Sequence, residues 1–482
     1  MNDLPARGSH IHLIAICGVG MASLAGLLQS QGYRVTGSDQ NVYPPMSIYL
    51  AGLGIQVLSG YREEHLKERP DLVVVGNAIS QNNPEVQTVL RGGGPYISFP
   101  QALGRFLIGS KKTIVVVGTH GKTTTAALMA WVLAKAGWDP SFFVGGIPID
   151  FDSGFKQGGG AWVVIEGDEY DSAFFDKGPK FLHYKPEKVI LTSLEFDHAD
   201  IYRDLEHLTG AFLRLMEIIP PSGTLLACNE YEAAKDLSAA ARCPVKFYGG
   251  GEPKGWRARN VCVREGRSFF EPFYNGRPEG VVEVPLMGRH NVNNALAVYA
   301  MARELGINRE VLREALATFS GVKRRQEVKG EVGEITVIDD FAHHPTAVKE
   351  TIEALRAAYS GRRLWAVFEP RSNTSRRRIF EREFTQALGC ADRIVMAGLY
   401  QPEKIPEEDR LPPAQVVGEI NRLRGDSRAV LIERANDIPP YVAREAKSGD
   451  VILVMSNGAF DGVQEKILQA LRRKLLRSSK VS

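Results

Sequence analysis

Ile114-Val115-Val116-Val117 runs directly into Gly118-Thr119-His120-Gly121-Lys122-Thr123-Thr124-Thr125 and then into an Ala/Leu-rich stretch. That succession leaves little choice of fold. An unbroken Ile/Val run suits a strand buried on both faces, and such strands belong to parallel sheets covered by helices. The glycines let backbone N–H groups converge in a tight loop, and a helix starting at its end adds a partial positive charge. A loop of this kind binds phosphate: Lys122 contacts the β/γ-phosphates and the Thr123 hydroxyl binds Mg²⁺. Only Thr119 and His120 separate Gly118 from Gly121, fewer than in the usual phosphate loop. The strand–loop–helix placement therefore carries the reading more than the spacing does.

The same alternation occurs on both sides. Residues 11–16 are an apolar run, followed by Gly18-Val19-Gly20 and a helical pattern through Leu24, Leu27 and Leu28. Tyr33 to Gly37 reads as a second strand with Asp39 just beyond it, and Asp71 to Gly76 holds a third. Gly18, Gly20 and an acid about 20 residues on match part of a dinucleotide fingerprint, but Ser23 stands at the third glycine. A nicotinamide dinucleotide, a nucleotide diphosphate and a purely structural turn all fit. Towards the C-terminus, candidate strands are Ile335–Ile338, Arg363–Phe368, Arg393–Met396, Ala429–Ile432 and Val451–Met455. The expected fold is α/β in three domains. The expected bounds of the three are residues 1–108, 109–325 and 326–482.

Composition narrows the function. The 482 residues are 44% apolar, too many for intrinsic disorder, and 59 Lys+Arg against 56 Asp+Glu leave a net charge of +3. No global field favours nucleic acid, which argues against a nucleic-acid motor. The apolar segment 11–28 contains His12 and a Gly-x-Gly, so it reads as strand, turn and helix and not as a signal or membrane span. Five scattered cysteines without a CxxC pair point to a reducing compartment. The expected location is the cytoplasm, without membrane insertion. The basic C-terminal tail, Arg472 to Lys480, is assigned no function.

Acids and imidazoles cluster at strand ends, where open α/β sheets bind ligands. Glu166-Gly167-Asp168-Glu169-Tyr170-Asp171 follows one strand, and Glu195-Phe196-Asp197-His198 follows another. His290-Asn291-Val292-Asn293-Asn294 precedes a helical stretch, where a single asparagine could act as cap. Asp339-Asp340-Phe341-Ala342-His343-His344-Pro345 follows the strand at Ile338. Adjacent histidines in extended chain face opposite ways, so at most one could ligate a metal.

Taken together and in this order, GTHGKTTT (118–125), EGDEYD (166–171), EFDHADIY (195–202), HNVNNALA (290–297), GVKRR (321–325) and DDFAHHP (339–345) resemble the Mur ligases. That resemblance implies an ATP- and Mg²⁺-dependent amide ligase of peptidoglycan metabolism, with a Rossmann-like domain over 1–108 that binds the UDP-sugar, a central P-loop ATPase domain with a parallel sheet over 109–325, and a Rossmann-like α/β domain over 326–482 that binds the incoming peptide. The N-terminal segment HIHLIAICGVGMASLAGLL resembles the members that use UDP-N-acetylmuramate. Those members either add L-alanine or attach the murein tripeptide L-alanyl-γ-D-glutamyl-meso-diaminopimelate during recycling. The stretches GSDQNVYPPMS (37–47), FEPRSNT (368–374) and MSNGAFDG (455–462) favour the tripeptide, with L-alanine as the alternative.

By the same resemblance, Lys122, Glu166 and His198 are catalytic, and Thr123, Glu166 and His198 bind Mg²⁺. Gly118, Thr119, Gly121, Lys122, Thr123, Thr124, Asn294, Arg325 and Asp340 contact ATP. Gly18, Gly20, Asp39 and Asn77 face the UDP-sugar. Arg371, Ser372, Asn373, Ser456, Asn457 and Phe460 hold the incoming peptide. The run Arg376-Arg377-Arg378 is more basic than in some members; guanidinium groups suit a peptide with several carboxylates, while a solvated cluster at a helix start accounts for Arg377 and Arg378 more easily than for Arg371. His343 or His344 is the candidate general base. Gly167 replaces the usual alanine of the acidic loop, and Leu213 stands where some members carry a carbamylated lysine.

Overall fold

The computed structural model describes residues 4–42, 46–250 and 254–478. Tyr43-Pro44-Pro45 of the GSDQNVYPPMS stretch and Lys480 of the tail therefore lie outside the described residues. The chain divides into two compact units. One comprises residues 1–195, 204–256 and 297–315, and the other 196–203, 257–296 and 316–482.

The first unit holds two parallel sheets. One has the strand order Val57–Ser59, Arg34–Asp39, His10–Ile14, Leu72–Val75, Tyr96–Ser98. The chain starts in the middle strand and later strands add on either side, so the order reverses between His10–Ile14 and Leu72–Val75. Such a reversal opens a crevice at the carboxyl ends of the strands. The apolar segment 11–28 divides here into that middle strand and the helix Val19–Ser30. Among the described residues no helix is long and apolar enough to cross a membrane. Asp39, expected beyond its strand, is the last residue of it.

The second sheet of this unit runs Val245–Tyr248, Thr224–Cys228, Lys188–Leu191, Lys112–Val117, Trp162–Gly167, Ser141–Phe143, with Phe155–Lys156 antiparallel at the edge. Val115, Val116 and Val117 are fully buried, as a central strand with helices on both faces requires. The expected boundary at Ile108 falls inside this unit. Around it, the Ser98 hydroxyl donates to Asp176 (2.6 Å), the Gln31 amide to the Phe106 carbonyl (2.7 Å), and Phe99 packs edge-on against Phe143.

The second unit is built on a six-stranded sheet in the order Glu327–Val332, Ile335–Asp340, Val451–Met455, Leu364–Phe368, Arg393–Ala397, Ala429–Ile432. All neighbours are parallel except the first pair. Alternate residues of each strand feed two separate cores. Ala366 and Phe368 face Val348, Ile352 and Phe384, while Trp365 and Val367 face Val442, Val463 and Ile467. Asp339 and Asp340 lie inside the second strand and not after it, because Asp340 still pairs with Met455.

Candidate active site

The phosphate loop takes its shape from its first glycine. Gly118 has φ +127°, and a Cβ there would sit 2.7 Å from the Ser193 carbonyl oxygen and 2.8 Å from its nitrogen. The backbone of the neighbouring strand end thus approaches more closely than any side chain allows. The Thr192 hydroxyl donates to the Val117 carbonyl (3.0 Å) and the His120 N–H donates to Ser193 Oγ (2.8 Å), fixing the loop to that strand. Gly121 at φ +77° opens the helix Lys122–Lys135, whose first amides have no side-chain cap. These N–H groups are positioned for an anion.

Lys122 folds back over this loop. Its Nζ donates to the Gly118 carbonyl (2.7 Å) and to Glu169 Oε2 (2.8 Å), and Glu169 is 1% exposed. Burial alone would lower the lysine pKa, but Glu169, Asp168 and Glu166 outweigh it and hold the ammonium charged. Burial likewise works against the Asp168 carboxylate, yet Lys180 and Lys122 keep it below its ordinary range. Lys180 donates to Asp168 (3.0 Å) and lies 4.0 Å from the centre of the Tyr170 ring.

Register places the next acid. Trp162–Gly167 pairs in parallel with Lys112–Val117, so Glu166 lies beside Val116, two residues before Gly118. The Thr123 hydroxyl donates to Glu166 Oε2 (3.2 Å), and Gly145 N–H donates to the other oxygen (2.8 Å). A hydroxyl and a carboxylate in contact are the hard oxygen donors Mg²⁺ takes. At Gly167 a Cβ would lie 2.6 Å from Val117 Cγ1, which accounts for glycine at that point of the acidic loop.

In the same unit, Gly18, Asp39 and Asn77 gather at the carboxyl edge of the first sheet. Gly18 caps the helix Val19–Ser30, and Asp39 accepts N–H bonds from Cys17 and Asn41 (both 2.9 Å). Gly20 faces Phe99, with 3.1 Å from an added Cβ to the ring, and Asn77 is exposed just after the strand Leu72–Val75.

The second unit carries the remaining groups. His290 and the asparagines lie in the first turns of the helix Arg289–Glu304 and do not precede it. The reason is Gly288: at φ +96° its carbonyl already accepts the N–H groups of Asn291 and Val292. Asn294 donates to Asn291 (3.2 Å), and Asn291 to Gln326 (3.3 Å). Gln326 N–H donates to Asp340 (2.8 Å) and Ala342 N–H donates to its other oxygen (2.7 Å). Burial raises the Asp340 pKa against these bonds and against Arg325. Arg325 stacks 4.8 Å from the Phe341 ring centre. Asn294, Arg325 and Asp340 thus belong to one connected polar cluster.

A second polar cluster surrounds a pocket of about 410 Å³, walled by residues that include His198, His343, Arg371, Ser372, Asn373 and Asn457. Asp197, also in its wall, accepts from the Thr374 hydroxyl and from His198 N–H, both at 2.7 Å. Burial opposes its ionisation, but His198, His343 and His344 hold it well below the usual carboxylate range. His198 is at φ +54°, a left-handed turn that ends the segment. The two adjacent histidines differ. His344 caps the helix Pro345–Ala358, its Nδ1 accepting from Thr346 N–H (3.3 Å) and its Nε2 donating to the Phe196 carbonyl (3.2 Å). Both ring nitrogens are therefore occupied, which removes His344 as a base. His343 donates through Nδ1 to the Phe341 carbonyl (3.0 Å), leaving Nε2 as acceptor, and burial lowers its pKa.

Three further expectations change in this unit. Phe460, expected to hold peptide, is 1% exposed and packs into the core with Val463 and Ile467. Ser456 is fully buried and donates to Glu369 (2.5 Å), so it positions the loop from behind. Arg377 and Arg378 pair with Asp409 (3.3 Å) and Glu381 (3.5 Å), as surface charges near a helix start do. Glu169, Asp197, Thr374 and Tyr400 carry structural weight that the motifs did not reveal. Glu169, Asp197 and Thr374 lie in stretches the motifs singled out, but the pattern did not show which of their side chains turn inward, and Tyr400 gave no sign.

Comparison with known proteins shows the family. Residues 10–111 match the Mur ligase family catalytic domain, 116–302 the Mur ligase middle domain, and 324–458 the Mur ligase glutamate ligase domain. The UDP-N-acetylmuramate–L-alanyl-γ-D-glutamyl-meso-2,6-diaminoheptandioate ligase of Escherichia coli (strain K12) is 40% identical over 471 residues, covering 96% of this chain and 98% of its own. A UDP-N-acetylmuramate–L-alanine ligase from Variovorax paradoxus (strain S110) is 35% identical, over 95% of this chain and 94% of its own. The crystal structure of a murein peptide ligase from Psychrobacter arcticus 273-4 superposes with a TM-score of 0.73 at 35% identity, covering 96% of this chain and 99% of that one. With all three domains matched in order, the chain belongs to the Mur ligase family and is an ATP-dependent ligase.

Proposed function

We propose that this Mur ligase joins UDP-N-acetylmuramate to L-alanyl-γ-D-glutamyl-meso-diaminopimelate in the cytoplasm. One observation carries the choice of the tripeptide over L-alanine. The pocket in the second unit has about 410 Å³ and is walled by both cations and acids, including Arg371, Lys404 and Asp200. A site for free alanine needs one cation and room for a methyl. A peptide with several carboxylates and a further amine needs a larger, doubly charged wall. The 40% identity to the Escherichia coli tripeptide ligase supports the same reading.

The lactyl carboxylate attacks the γ-phosphate of ATP, giving an acyl phosphate and ADP. The free amine of the L-alanyl residue then attacks the acyl carbon and phosphate leaves, forming the amide. Lys122 and the loop amides neutralise the phosphates, and catalysis is chiefly positioning and charge stabilisation. Asn294, Arg325 and Asp340 contact ATP, while Gly18, Gly20, Asp39 and Asn77 line the UDP-sugar site. The Thr123 hydroxyl and the Glu166 carboxylate would hold Mg²⁺, which when bound offsets repulsion between the lactyl carboxylate and the nucleotide. His343 Nε2 takes the proton released by the attacking amine, since burial keeps that ring neutral near pH 7.

Two measurements test this reading. With UDP-N-acetylmuramate, ATP and Mg²⁺, the enzyme offered tripeptide and L-alanine together should form the tripeptide product, and Arg371→Ala should weaken that preference. Efficient L-alanine ligation without tripeptide product would leave the alternative standing. Glu166→Gln should shift the Mg²⁺ titration of activity to higher concentration; an unchanged titration would remove Glu166 from the metal set.

A further inference from the structure

The pocket wall of the second unit does not offer its charges equally. Arg371 lies 3.6 Å from Glu369 and stacks 3.7 Å from the Tyr400 ring centre. Arg376 spends its donors on the carbonyls of Tyr400 (2.8 Å) and Gln401 (3.0 Å) and on Asn373 Oδ1 (2.6 Å). Lys404 is different: it lines the pocket, is exposed, and its ammonium has no hydrogen bond or ion pair among the described residues. Its backbone is nevertheless fixed. It ends the turn Pro402–Lys404, its N–H donates to the Gln401 carbonyl (3.2 Å), and the following Ile405 is 4% exposed. Arg376 clamps the near side of the same loop. The acids divide in the same way. Asp197 is buried and committed to Thr374 and His198, whereas Asp200 is exposed with one oxygen held by Asn373 (2.7 Å).

We propose that Lys404 and Asp200 form a subsite for the far end of the incoming peptide, Lys404 taking its terminal carboxylate and Asp200 the ammonium on the same carbon. The inference rests on the tripeptide reading above. In L-alanyl-γ-D-glutamyl-meso-2,6-diaminoheptanedioate the alanyl amine reacts, so the free amine and one carboxylate at the far carbon form a zwitterion. A cation and a carboxylate on one pocket wall match it. L-Lysine in that position keeps the ammonium and lacks the carboxylate, so Lys404 is the residue that tells the two apart. A charge-assisted bond lost on one side only is worth about tenfold or more in discrimination.

The test uses the full-length enzyme with UDP-N-acetylmuramate, ATP and Mg²⁺, and separately the diaminopimelate tripeptide, its L-lysine counterpart and free L-alanine. The wild type should favour the diaminopimelate peptide about tenfold or more in kcat/KM. Lys404→Met should collapse that ratio to about twofold or less, acting through KM, and Lys404→Arg should retain most of it. Asp200→Asn should weaken both peptides together. A wild-type enzyme indifferent to the third residue, or a Lys404→Met variant with the ratio unchanged, would overturn the subsite and leave the tripeptide reading intact. Ligation of L-alanine and of neither peptide would overturn the tripeptide reading itself.

Discussion

Lys122→Ala is expected to lower turnover by about a hundredfold or more, the scale set by removal of a preorganised charge that stabilises the transition state. The variant should also lose stability. Glu169 is 1% exposed and its carboxylate faces the Lys122 ammonium at 2.8 Å. Breaking a buried pair from one side costs about 3–5 kcal/mol, because a charge is left without a partner. The two effects separate in the double variant Lys122→Ala/Glu169→Gln, which should recover most of the thermal stability and none of the turnover. Lys122→Ala activity within about threefold of wild type would remove this lysine from catalysis. Recovery of both properties in the double variant would make its role purely structural.

Gly118→Ala should be nearly as damaging for a different reason. The added Cβ would meet the backbone of Ser193 at 2.7 and 2.8 Å, and backbone cannot rotate aside as a side chain can. The left-handed strain of about 1–3 kcal/mol adds to that collision. The loop must move away from the strand end at Ser193, taking the converging amides with it, and turnover should fall by about a hundredfold. Gly137→Ala is the control. It carries the same sign of φ, at +77°, but nothing lies within 4 Å of its added Cβ. It should lose about 1 kcal/mol of stability and keep its activity. Equal loss of turnover in both variants would show that strain, and not close approach, governs the loop.

The sequence determined where the strand, loop and helix around Gly118 lie in the first unit. Ile114–Val117 reads as a buried strand and the glycines after it as a tight turn before a helix, because both follow from local sterics and hydrophobicity. Strand, loop and helix therefore stand where the pattern puts them, and Glu166 follows from its strand's being parallel to this one. The order of motifs along the chain likewise determined the family. Side-chain direction in irregular segments depends instead on packing from distant residues, which no local pattern encodes. Phe460 and Ser456 lie in a stretch whose chemistry suits ligand binding, yet the fold turns one into the core and the other towards Glu369. His343 and His344 are indistinguishable in sequence. Only the Phe196 carbonyl and the Thr346 amide occupy one ring and leave Nε2 of the other as an acceptor. The arginines after Phe368 look alike too, and partners brought from elsewhere in the unit decide which are already neutralised. Glu369, Asp409 and two loop carbonyls answer the arginines, and among the described residues of the pocket wall the cation left unanswered is Lys404, more than 25 residues further along the chain.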